Sequence, residues 1–147
     1  MGEEGQTLLR GLSTMNLWAE DLAAATRWYS ELLGVEPYFT SEAAGRGPGY
    51  VEFRIGDYEH ELGIMDRRFA PPDLATEPGG VVAYWHVDDV TAAFDRLLSL
   101  GATQLQPVTE QGPGFVTASV IDPFGNVLGI MFNRHYLDML SNRGGAQ

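Results

Sequence analysis

AEDLAAATRWYSELLG (19–34) and VDDVTAAFDRLLSLG (87–101) follow one plan. Each begins with an acidic pair at a helix N-cap position, continues with apolar residues at helical spacing, and stops at a glycine. In the first, Leu22, Ala25, Trp28, Tyr29, Leu32 and Leu33 form the apolar stripe. Alternating stretches precede both helices, TMNLWAEDL (14–22) and VVAYWHVDD (81–89), and read as strands. Setting Asp89 on Asp21 gives an offset of 89 minus 21, or 68, which also sets Val82 on Thr14 and Gly129 on Glu61. A period of 68 residues is too long for a solenoid and points to two fused modules.

After the first helix, VEPYFTS (35–41) reads as a strand, SEAAGRGPG (41–49) as a mobile loop, and YVEFRIG (50–56) with HELGIMD (60–66) as a hairpin around Asp57-Tyr58. After the second helix, TQLQPVTE (103–110), FVTASVID (115–122) and NVLGIMF (126–132) supply three more strands, with DPFGN as a tight turn. The fold class is therefore α+β, with two tandem β-α-β-β-β modules in a single domain. Module one spans about 12–67, a Pro/Gly-rich connector 68–80, module two 81–133, and a tail with one or two helical turns 134–147.

Composition narrows the chemistry. Twenty acidic residues against nine basic ones give a net charge of -11, which repels nucleic acid and anionic membranes. All nine basic residues are arginines and there is no cysteine, so Schiff-base lysines, thiol nucleophiles, disulfides and cysteine metal sites are excluded. MGEEGQTLLRG (1–11) lacks the pattern of a signal peptide, and no apolar run approaches the roughly 20 residues of a membrane span. A cytoplasmic protein is expected.

NLWAEDLAAATRWYSELLG (16–34), VDDVTAAFDRLLSLGA (87–102) and DPFGN (122–126) before the last strand, in that order, resemble the vicinal oxygen chelate superfamily. That is the glyoxalase, bleomycin-resistance and extradiol-dioxygenase group, and the likeness covers about residues 14–133. It implies a curved, cup-like mixed sheet holding a small-molecule ligand, and a homodimer. Its enzymes bind a divalent metal through one residue on the first and one on the last strand of each module. Carried over, those seats are Thr14, Glu61, Val82 and Gly129. Glu61 alone is a good ligand, whereas valine and glycine offer no side-chain donor. No metal or other cofactor is therefore expected.

HELGIM (60–65) thus places a carboxylate in the cup for some other purpose. Glu61 is a candidate ligand contact or general base, or a structural partner of a nearby Tyr or Arg. Alternation sends Asn16 and Trp18 to the side of Thr14, and Tyr84 and His86 to the side of Val82. Arg54, beside Glu52, either pairs with a carboxylate or clamps an anionic ligand. Phe115, Thr117 and Ser119 form a further candidate wall. Two functions follow: metal-free binding of a small organic molecule, or a lyase, isomerase or dioxygenase-type enzyme using Glu61 as base or metal ligand, with His86 or Tyr84 as acid.

Overall fold

The computed structural model describes residues 8–42 and 47–145; residues 43–46 of the predicted mobile loop, and the ends 1–7 and 146–147, lie outside the described residues. Module one runs β1 (Thr14–Ala19), α1 (Leu22–Leu33), β2 (Phe39–Glu42), β3 (Pro48–Ile55) and β4 (His60–Asp66). Module two runs β5 (Tyr84–His86), α2 (Val90–Ser99), β6 (Thr103–Gly112), β7 (Phe115–Ile121) and β8 (Val127–Asn133), followed by α3 (Arg134–Gly145). The strand orders β1-β4-β3-β2 and β5-β8-β7-β6 are the same, with the first strand parallel to the fourth and the rest antiparallel. The predicted mixed sheet is thus two four-stranded halves with no ladder between them.

The helices form where the caps direct. Asp21 and Asp89 each accept a hydrogen bond at 3.0 Å from the backbone N–H three residues on, satisfying a donor that the first helical turn leaves free. Gly34 closes α1 at φ 73°, a left-handed conformation that glycine adopts without steric cost. α1 buries Leu22, Ala25 and Tyr29 against Leu17, Phe53, Leu62 and Ile64, while α2 buries Val90, Phe94 and Leu97 against Val120, Leu128 and Ile130. Trp28 and Trp85 pack against both clusters, so the two cores are continuous.

Three elements differ from expectation. The second strand begins at Phe39 and not at 35, because Pro37 carries no N–H for a ladder. The strand expected over 81–89 has shrunk to three residues, and the tail is a helix of 12 residues. Two of the four outer strands are irregular: the ladder shifts once in β2 and three times in β6, which contains Pro107.

The DPFGN turn does more than reverse the chain. Asp122, 3% exposed, accepts hydrogen bonds from the N–H groups of Phe124 and Asn126 within its own turn and from the Tyr29 hydroxyl of α1. Asn126 then spans the modules: its Oδ1 accepts from Trp18 N–H at 3.2 Å and its Nδ2 donates to Trp18 O at 2.9 Å. Trp28 Nε1 donates to Leu100 O at 2.7 Å, a second link. Tyr29→Phe removes one donor from the buried Asp122 carboxylate and is expected to cost about 1–3 kcal/mol, read as a lowered urea midpoint with an unchanged slope.

Candidate functional site

Sheet one turns Thr14, Asn16 and Trp18 away from α1, together with Glu61 and Gly63 of β4 and Tyr50, Glu52 and Arg54 of β3, as their ladder partners show. Thr14 and Glu61 lie directly opposite each other. The Thr14 hydroxyl donates to Glu61 Oε1 at 2.7 Å, and Arg54 Nη1 stands 3.5 Å from Glu61 Oε2. Arg54 also lies over the Tyr38 ring, 4.7 Å from its centroid. Glu61 thus has both a hydroxyl and a guanidinium beside its carboxylate. Tyr50 donates its hydroxyl proton to Glu52, and its ring packs with the Asn16 side chain where a Cβ on Gly63 would sit. Burial and then the Glu61 charge raise the Glu52 carboxyl above its ordinary range, with Arg54 acting in the opposite sense; the same two causes raise the Tyr50 phenol.

Sheet two presents Tyr84 against Gly129, so closely that a Cβ there would lie 2.7 Å from the ring. Ser119, opposite Gly129, is buried, and Thr117 accepts a hydrogen bond from Gln111 Nε2 at 3.1 Å. Phe115 is 40% exposed at the far end of β7. The β5–β8 ladder pairs Tyr84, and not Val82, with Gly129. The 68-residue offset, drawn from the helix caps, is therefore corrected by two residues at this ladder. A two-residue slip preserves the face, so the side assignment stands while the seat opposite Gly129 becomes a tyrosine.

His86 has a different situation from the one expected. Its Nδ1 accepts from Asn133 N–H at 3.2 Å, and its ring stacks on Tyr136 of α3 with centroids 4.6 Å apart and planes 6° from parallel. Because Nδ1 accepts, Nε2 carries the proton of the neutral ring. Nε2 is buried and 3.5 Å from Asp88, near enough for electrostatic contact but without hydrogen-bond geometry. Tyr136 in turn donates to Asp57 Oδ2 at 2.7 Å, which ties α3 to the β3–β4 turn of the other module.

The remaining expected residues meet at a cavity. A hollow of about 320 Å³ lies where β1 approaches the β7–β8 turn and the start of module two. Asn16, Leu17 and Trp18 line one side, Gly125–Val127 and Val81 another, and residues 74–79 of the connector, with Arg67, close it. The structure thus gathers Thr14, Arg54 and Glu61 in one group and Asn16 with Trp18 in the cavity, while Tyr84, Thr117 and Ser119 belong to sheet two and His86 is engaged by α3. Sequence reasoning missed Tyr50, Arg67 and the connector wall. Alternation along YVEFRIG (50–56) puts Tyr50 on the same side as Glu52 and Arg54, but nothing local marks Arg67.

A family model for the Glyoxalase/Bleomycin resistance protein/Dioxygenase superfamily matches residues 11–130. The chain belongs to that superfamily. Solved structures agree in fold. A glyoxalase-related enzyme from Fulvimarina pelagi is 23% identical with a TM-score of 0.66, covering 86% of this chain and 90% of that one. A superfamily member from Sphaerobacter thermophilus DSM 20745 is 17% identical with a TM-score of 0.66, covering 85% and 98%. A family enzyme from Burkholderia phytofirmans PsJN is 18% identical with a TM-score of 0.56, covering 81% and 95%. A search of curated proteins finds no match.

For a glyoxalase/bleomycin-resistance superfamily member, the inherited metal seats are poorly furnished. Thr14 already donates its proton to Glu61, Gly129 has no side chain, and Val82 or its ladder substitute Tyr84 adds at most a phenol. Among the described residues, no three His, Cys, Asp or Glu side chains gather where a metal ion would sit. This donor set does not fit a divalent ion.

The raised Glu52 carboxyl has a testable sign. Folded chains hold a proton that unfolded chains release, so Glu52 weakens stability as pH rises from its ordinary value of 4.5 through its higher folded midpoint. Carbon-13 titration of the glutamate carboxyls is expected to find that midpoint above the ordinary range, and Glu61→Gln is expected to lower it.

Proposed function

We propose that this protein binds a small organic molecule in its cup without a divalent metal, in the manner of a sequestering or resistance protein, as a cytoplasmic homodimer. The observation that carries the reading is the cavity of about 320 Å³ beside β1, lined by Asn16 and Trp18. Its volume lies at the lower end of small-molecule sites, and its lining includes Trp18 and Asn16, while Asn126, also at its wall, commits its amide to Trp18. An aromatic residue of this kind takes up planar guests by stacking, and a polar neighbour such as Asn16 orients them. The scarcity of metal donors supports recognition by shape and hydrogen bonding over coordination. Glu61 and His86, the pair an acid–base enzyme would use, are engaged by Thr14, Arg54, Asn133 and Tyr136, which favours binding over catalysis.

Native mass spectrometry of protein isolated without chelator tests each element at once. Expected are a dimer mass, a retained organic molecule and no stoichiometric metal. Trp18→Ala is expected to reduce retention about tenfold, as loss of one aromatic contact of ~1.4 kcal/mol would do. A stoichiometric divalent ion that disappears in Glu61→Ala overturns the proposal.

A further inference from the structure

Arg67 is the cation at the cavity, and its surroundings leave it unneutralised. It opens a short 3-10 turn, Arg67–Phe69, directly after β4. The turn's N-cap, Asp66, is committed to Arg68, two residues on: Oδ1 accepts from Arg68 N–H at 2.9 Å and Oδ2 lies 3.4 Å from Arg68 Nε. Glu20 and Asp66 share a neighbouring hollow with Arg67, and Glu77 of the exposed connector lines the same cavity. None of these carboxylates forms an ion pair with Arg67, and among the described residues Arg67 has no side-chain hydrogen bond or ring contact. A half-buried arginine without an ion-pair partner is unusual in a chain with net charge -11, where carboxylates outnumber arginines by twenty to nine.

Geometry and charge together point to a ligand class. The guanidinium is a planar fork that matches a carboxylate with two parallel hydrogen bonds, and partial burial strengthens such charge-assisted bonds. Trp18, lining the same cavity, supplies a surface for a flat ring. A single arginine amid a strongly acidic surface balances one negative charge and not two, which disfavours phosphate dianions. We infer that the cavity selects planar aromatic monoanions, with Arg67 as the residue that reads the carboxylate. The inference rests on the cavity's being the binding site, as proposed above, and assigns that site its substrate class.

Three probes sharing one ring separate the possibilities: 2-naphthoate, 2-naphthamide and 2-naphthylmethylamine, each titrated calorimetrically into the full chain. Expected is tighter binding of the carboxylate than of the amide by about tenfold to a hundredfold, the range of hydrogen bonds to a charged group. That ratio collapses toward one in Arg67→Gln and is partly restored in Arg67→Lys, which keeps the charge but loses the fork. Arg67 is half-buried and holds no buried partner, so both variants are expected to keep the wild-type urea midpoint. Equal affinity for all three probes, or preference for the amine, overturns the assignment to Arg67 while leaving the cavity as a binding site. Failure of all three to bind overturns the assignment and the cavity reading together.

Discussion

Asp122 imposes the constraint on which the arrangement of the two modules depends. A carboxylate that is 3% exposed is costly unless its lone pairs are met, and donors within its own turn supply only part of what it accepts. The rest comes from Tyr29, on the helix of the other module. Satisfying the charge therefore obliges α1 to sit against the β7–β8 turn. Once it does, Asn126 is in place to take both backbone groups of Trp18. The wall of the cavity is thus positioned by the same residues that join the modules.

The two halves of the cup have diverged around this join. Sheet one keeps a polar face on which two carboxylates share one arginine. Sheet two replaces the corresponding seats with glycine and tyrosine, and its one histidine is occupied by α3. Superfamily membership supplies the curved sheets, and the side chains on them determine what chemistry remains possible. With so few donors in the cup, the polar groups serve to hold one another in place.

Much of this was legible because periodicity and capping are local. Asp21, Gly34 and Asp89 announce their helices, and strict alternation puts Asn16 and Trp18 on the side of Thr14, while the ladder, not the sequence, brings Glu52 and Arg54 to that face. What escaped depends on choices between distant partners. The two-residue slip of β5 against β8 leaves every side chain on its expected face, so no pattern of hydrophobicity reports it. Arg67 and Arg68 are indistinguishable in sequence, yet Asp66 pairs with only one of them. The Asn126–Trp18 contact joins residues 108 apart, and the docking of Tyr136 on His86 depends on a helix whose extent its composition barely signals.

The irregular outer strands carry a consequence for assembly. Edges that shift register, and one that contains a proline, offer a poor template for adding a further strand. Subunits that meet at these rims must therefore recognise each other through side chains, not through a shared backbone ladder. Such a contact can loosen and re-form without either fold being disturbed, and it gives the chain no backbone ladder to extend at these two rims.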